Sequence, residues 1–293
     1  MLRVYRIQPT YHRTYDVHHP LHGRFLHTVF MSSPAPKSLI LNLMRAAEGR
    51  PVTAADAVTS AALFGIRENS VRVTLVRLAA AGLIESAGRG TYKLGPQAAD
   101  LAHDLSGWRH SEERVIDWSG AWIMVSTGAL GRSDRVALRR RDRALALLGF
   151  KALDSGLYVR PDNLKGRSAG ARERLHRLGL ESTAPVFTAT HLDAELDAKA
   201  RGLRQGEALT QGYLHTRQKL QNWLSRWQDL ELEVAARECY LLGNEAIRQL
   251  IFAPLLPDPL VDRQVRREFT QSVLTFDQTG HEIWRKLLPS MSL

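Results

Sequence analysis

Between Ser38 and Leu94 the apolar residues recur at helical spacing three times and then at strand spacing twice, each run being closed by glycine or proline. Few folds accept that order in so short a stretch. Leu39, Ile40, Leu43, Met44 and Ala47 fall on one helix face, which Gly49-Arg50-Pro51 stops. Thr53 with Asp56 three residues later forms an N-cap pair for a second helix, which carries Ala54, Ala57, Val58 and Ala61 on one stripe and ends near Phe64-Gly65. A third helix runs from about Glu68 to Ala81; Val71, Leu75, Leu78 and Gly82 mark its inner face, and Asn69, Ser70, Arg72, Val73, Val76 and Arg77 point elsewhere. Leu83 to Ser86, the glycine turn Ala87-Gly88-Arg89-Gly90, and Thr91 to Leu94 then read as strand, turn and strand. Helix, helix, turn, helix, hairpin is the winged helix-turn-helix layout, in which the last helix enters the major groove and the hairpin touches backbone or minor groove.

Charge points the same way. Lys and Arg number 40 against 30 Asp and Glu, a net of +10, which favours a polyanionic partner and says nothing of fold. Arg72 and Arg77 can reach guanine edges or phosphates, Asn69 and Ser70 at the helix start can donate to bases or phosphate, Val73 stands on the same outer face, and Arg89 has the reach of a hairpin-tip contact. The bland alternative for each arginine is a solvated surface, and for Arg77 an ion pair to Glu68 or Glu85.

The 293 residues predict two or three domains of about 100 to 200 residues at most. Ala121 to Val125 reads as a strand buried on both faces. An arginine-rich helix follows, with its apolar side expected on Val136, Leu138, Leu145, Leu147 and Leu148 and its arginines outside. A hairpin covers Phe150 to Leu153 and Leu157 to Arg160, then come a basic helix from about Gly166 to Leu178 and a strand Val186 to Thr190. That order, β-α-β-β-α-β, is the ferredoxin-like arrangement. From Ala208 the pattern is helical, with seams on Leu209, Tyr213, Thr216, Leu220, Trp223 and Trp227 and on Leu232, Ala235, Cys239, Leu242, Ala246 and Leu250; Pro254, Pro257 and Pro259 break the chain before a last helix, about Asp262 to Leu288. The expected class is α+β: a basic extension over 1–36, a winged helix-turn-helix over 37–96, a linker helix (Pro96 to Arg109, with Leu101 and Leu105 on one side) and ferredoxin-like domain over 97–192, and a helical effector and dimerisation domain over 193–293. In the extension, His18, His19 and His22 faintly resemble a metal tract, and Met31 is an alternative start. One cysteine, Cys239, and the lack of any run of 18 apolar residues give a cytoplasmic expectation with no membrane anchor.

The residues Ser70 to Leu78, Leu148-Gly149-Phe150 with Gly156 to Pro161, and Cys239 to Arg248 with Pro254 to Pro257 resemble the PaaX family of bacterial transcriptional repressors. The resemblance runs from Ser38 over nearly all the chain. It implies a homodimeric repressor of aromatic-acid catabolism that binds double-stranded operator DNA, has no cofactor, and is released by an aryl-coenzyme A thioester such as phenylacetyl-CoA. An effector is then expected in an apolar, aromatic-lined cleft between the middle and C-terminal domains. Local charge nominates Arg160, Lys165 and Arg167 for its phosphates, against a solvated surface.

Two other classes compete. A metal-dependent nuclease would place a carboxylate at the end of the first central strand, but Val125-Ser126-Thr127-Gly128 offers none. Gly128 to Gly131 lacks the Lys-Ser/Thr of a P-loop, His281-Glu282 lacks the second histidine of a zinc-protease helix, and Cys239 lies in a helical stripe as a structural thiol rather than a nucleophile. An architectural DNA-binding protein would lack the effector-sized C-terminal module. A non-enzymatic, ligand-responsive repressor is therefore the expectation.

Overall fold

Pro36 opens the first helix, where its missing N–H is no loss. The computed structural model describes residues 33–47, 49–96, 98, 107–131 and 133–288. The histidine tract and the alternative start at Met31 lie outside them. So does most of the expected linker helix; its end, Gly107–His110, is a short 3-10 turn.

The protein is mixed α+β, with two small antiparallel sheets. Its first part contains α1 (Pro36–Ala46), β1 (Val52–Thr53), α2 (Ala54–Ala62), α3 (Glu68–Ala80), β2 (Ile84–Gly88) and β3 (Thr91–Leu94). Thr53 and Asp56 form the expected reciprocal cap: Thr53 Oγ1 accepts from Asp56 N at 2.9 Å and Asp56 Oδ2 accepts from Thr53 N at 3.0 Å. Gly82, at φ +67°, ends α3 by letting Leu83 N–H return to Leu78 O at 3.0 Å. The strands lie in the order β1-β3-β2.

The second sheet comprises β4 (Trp122–Ser126), β5 (Lys151–Asp154), β6 (Leu157–Pro161) and β7 (Val186–Ala189), in the order β5-β6-β4-β7. α4 (Arg135–Leu147) follows β4, and α5 (Arg167–Leu178) follows β6. β4 is buried on both faces, as its unbroken apolar run requires. Ile123 and Val125 face a cluster with Ala144, Leu145 and Leu175 of α4 and α5, whereas Trp122 and Met124 join the core of the C-terminal helices. Those helices are α6 (Ala194–Gly202), α7 (Gly206–Leu224), α8 (Leu232–Ile251) and α9 (Arg263–Leu287). Gly206 has no substitute: an added Cβ would stand 1.6 Å from Leu260 O.

The expected outer face of α4 needs correction. Arg141 is buried while Val136 and Leu147 are exposed. Its guanidinium reaches Glu181 Oε2 at 3.1 Å and Gly131 O at 3.1 Å, and the hydrogen bond to the carboxylate raises the arginine's pKa and lowers the glutamate's. A pair satisfied in this way displaces Val136 from the packed side.

Ser33–Leu293 forms one compact unit. α9 lies along α7 and α8, with Phe269, Val273, Phe276 and Ile283 fully buried on one stripe. Its C-terminal end reaches the first part of the chain, where Leu288 is buried in the α1–α3 core and Trp284 and Leu287 pack against it. Three ion pairs fasten residues 109–117 antiparallel along it: Arg109–Asp277 at 2.7 Å, Glu112–Arg266 at 2.7 Å and Asp117–Arg263 at 3.1 Å. Arg266 is wholly buried, so its carboxylate partner is obligatory. Glu112→Ala is expected to destabilise the fold by about 3–5 kcal/mol. The double variant Glu112→Leu/Arg266→Met should recover much of that loss. Urea midpoints measure both, and a single variant within about 0.5 kcal/mol of wild type would refute the assignment.

Candidate nucleic-acid interface and a half-open cavity

Only Val71, Leu75 and Leu78 of α3 are buried. At 3.6 residues per turn, Asn69, Val73, Val76 and Ala80 stand directly opposite them, with Arg72 on one side of that line and Ser70 and Arg77 on the other. All seven are exposed, Val76 at 67%. Val76 and Ala80 are the two the candidate set omits; for Val76, a β-branched apolar residue outside the buried stripe is the signal that marks it.

The two acids near this face are already paired. Glu68 holds Arg72 at 2.6 Å, and Glu85 holds Lys93 at 3.1 Å across the hairpin. Both pairs are exposed and so contribute little to stability, and a phosphate can take either cation. Arg77 therefore has neither expected partner, and it makes no ion pair among the described residues. In the hairpin Gly88 faces Thr91, a bulge lies between Ser86 and Gly88, and Arg89 with Gly90 forms the two-residue tip. Arg89 is exposed there.

α1 connects this face to the C-terminal helices. It packs on α3, and on its other side Asn42 Nδ2 donates to Tyr240 Oη at 3.0 Å and to Asn244 Oδ1 at 3.2 Å. Between α1, α8 and α9 lies a cavity of about 130 Å³. Leu43, Cys239, Ile247, Phe276 and Trp284 give it apolar walls; Arg45, Arg50 and Arg285 also line it. Arg45 is half-buried, and its pKa is lowered by burial and then by Arg109, against a smaller opposing effect of Asp277. Its guanidinium makes no hydrogen bond or ion pair among the described residues.

The cations nominated for effector phosphates are not brought together. Arg160 is buried and faces inward, donating to Leu148 O at 2.7 Å, Pro161 O at 3.2 Å and Asn163 Oδ1 at 3.4 Å. Burial, then Arg204, pushes its pKa down to about 9. Its role is to satisfy carbonyls where β6 leaves the sheet. Lys165 and Arg167 are exposed, with Arg167 3.5 Å from buried Asp162. The space between the sheet and the C-terminal helices, where a cleft was expected, holds continuous core from Trp122 and Val159 to Tyr213 and Trp223. The cavity described above is elsewhere. Among the described residues, no group of three or more His, Cys, Asp or Glu is placed to hold a metal ion, and no helix is long and apolar enough to cross a membrane.

The segment that carries α1 to β3 matches a known family model, described as PaaX-like protein, over residues 35–98. Residues 35–98 are PaaX-like. This is the family that the sequence motifs resemble. The solved structure of the uncharacterized protein Rv0674 from Mycobacterium tuberculosis is similar over 88% of this chain and 99% of that one, with a TM-score of 0.60 and 20% identity. At that identity the likeness concerns the fold alone. No curated protein matches the chain.

Cys239 lies beyond the PaaX-like segment, in a wall of the cavity, and burial pushes its thiol up to about 12. At pH 8 its thiolate fraction is then on the order of 10⁻⁴, against about a quarter for a free cysteine. Dithionitrobenzoate should modify the native protein orders of magnitude more slowly than the urea-unfolded chain. Equal rates would show that the thiol is open to solvent.

Proposed function

We propose that the protein is a DNA-binding transcriptional repressor of an aromatic-compound catabolic operon, released from its operator by an aryl-coenzyme A thioester such as phenylacetyl-CoA. The observation that carries this reading is the outer face of α3: an exposed line of Asn69, Val73 and Val76 between Arg72 and Arg77, beside a hairpin tipped by Arg89, all within the PaaX-like segment. The element order α1, α2, α3, β2, β3 supports a winged helix-turn-helix, with α3 as the recognition helix and the β2–β3 hairpin as the wing. In the second sheet, the β-α-β-β-α-β order with antiparallel strands arranged β5-β6-β4-β7 supports a ferredoxin-like fold.

Each residue of the face has work that its chemistry suits. Val73 and Val76 match thymine methyl groups in the major groove, and Asn69 can pair with an adenine edge. Arg72 and Arg77, on either flank, reach guanine edges or the phosphates of the two strands, and Ser70 sets the helix start on the backbone. In a homodimer, two such helices would meet a palindromic operator in successive major grooves, about 34–36 Å apart or a multiple of that distance. Release by ligand requires unequal ligand affinity for the DNA-competent and DNA-incompetent states.

Fluorescence anisotropy on the protein's own upstream intergenic DNA and on a scrambled duplex, at fixed salt, tests the division of labour. Arg72→Ala and Val76→Ala should lose operator preference, by about 1–3 kcal/mol for a lost bidentate arginine contact. Arg89→Ala should weaken both duplexes alike and reduce the salt slope by about 1. Equal losses on both duplexes for all three variants would refute the assignment of base contacts to α3. Failure of the wild-type protein to prefer the intergenic DNA would refute the repressor reading itself.

A further inference from the structure

We infer that the cavity between α1, α8 and α9 binds a small anion carrying one aromatic ring or short branched acyl group, with the apolar group inside and the negative charge at the Arg45 guanidinium. Protein interiors leave few voids larger than a water molecule. At about 130 Å³ this one is close to the roughly 150 Å³ that encloses a benzene molecule in an apolar protein cavity. Its inner walls are of the right kind: Phe276, Cys239 and Leu43 are buried, and Trp284 and Ile247 are partly so.

The charge balance gives the ligand's other end. Among the described residues, Asp277 is the carboxylate that acts on both Arg45 and Arg109; it is bonded to Arg109 at 2.7 Å and lines the cavity together with His281. Arg45, which makes no ion pair among the described residues, is thus a half-buried cation that a further negative charge would suit, held at the side of an apolar space. An anion anchored there would remove the mutual repulsion of the two guanidiniums and make a charge-assisted hydrogen bond out of bulk water. Exposed Arg50 and Arg285 line the same opening. A cavity of this size admits only the acyl end of a thioester. The nucleotide portion of such a ligand would leave past Arg50 and Arg285.

Position gives the site a consequence. α1 is the wall that the cavity shares with the DNA-facing part of the chain, because the other side of α1 packs on α3. A ligand that spreads α1 from α8 and α9 changes how α3 is held relative to the rest of the protein. This regulatory consequence rests on the repressor reading; the binding site does not.

Isothermal titration of the full chain without DNA, using phenylacetate, phenylacetyl-CoA and coenzyme A alone, tests the site. Gly280→Leu fills the cavity from α9: the new Cβ would stand 3.8 Å from Cys239 Sγ, an ordinary contact, and leucine suits a helix better than glycine. Ile247→Phe fills it from α8 should the first variant melt early. Phenylacetate is expected to bind saturably, the filling variants to abolish that binding, and Arg45→Gln to weaken it at least about tenfold. Binding of phenylacetate, alone or together with phenylacetyl-CoA, would identify a carboxylate at Arg45, whereas binding confined to phenylacetyl-CoA, whose thioester is uncharged beside the ring, would overturn the placement of the charge. If neither probe binds, or if coenzyme A alone binds as tightly, the inference is overturned. Undiminished binding in variants that melt with the wild type would overturn it too. Loss of operator preference in the wild type would sink the repressor reading and leave this result standing.

Discussion

Arg266 carries a full positive charge at a place that water does not reach, and the architecture around it follows from that one cost. A buried guanidinium must find a carboxylate and fill its remaining donors. Glu112 supplies both carboxylate oxygens, at 2.7 and 3.1 Å, and Leu256 O takes another donor. Glu112 belongs to the passage between the two sheets, and Leu256 to the proline-broken passage between α8 and α9. One side chain therefore fixes both connections against the longest helix. Arg109–Asp277 and Asp117–Arg263, on either side, align the first passage with α9 over much of its length.

With α9 held in this way, the remaining layers have little freedom. Its apolar stripe completes the core that receives Trp122 and Met124 from one face of β4, so the sheet must present its other face, through Ile123 and Val125, to α4 and α5. At its C-terminal end, Leu288 enters the core of α1, α2 and α3. The part of the chain that carries α3 is thus joined to the rest by apolar contact as well as by the Asn42–Tyr240 and Asn42–Asn244 hydrogen bonds.

What could be read in the sequence, and what could not, divides along the range of the interactions. Period and punctuation are local, and they located α3 with its three buried residues, the Thr53–Asp56 cap, the doubly buried β4, the seam of α7 and that of α8 from Ala235 onward, Leu232 at its start being exposed. Arginine is the residue for which locality fails. Arg141, Arg160 and Arg266 look like surface cations in sequence, and each is buried because of a partner supplied by the fold: Glu181, forty positions away; the carbonyl of Leu148; Glu112, 154 positions away. A helical period gives the direction a guanidinium leaves its helix, and nothing of what waits there. The cavity was out of reach for the same reason, since its walls come from three stretches far apart in sequence, 39–50, 239–247 and 276–285. Charge in the 160–167 segment pointed to a ligand; the structure turns Arg160 inward as a support for the sheet.

The two regions with functional character meet on α1, and that sharing limits the kind of control the protein can exert. If the repressor reading holds, a ligand at the proposed site would alter DNA affinity only as far as it favours one arrangement of α1 on α8 and α9 over another. A tenfold effect needs about 1.4 kcal/mol of such preference, and a near-complete switch from 1:99 to 99:1 needs about 5.5. α1 is held there by two hydrogen bonds through Asn42 and by the apolar packing of Trp284, Leu287 and Leu288 on the α1–α3 core, with no buried ion pair among the described residues. The ion pairs that fasten residues 109–117 to α9 are of another order, with one member fully buried. On the proposed reading, regulation by displacement would therefore be directed to the α1 side of the molecule, with the sheet and the long helix as the frame.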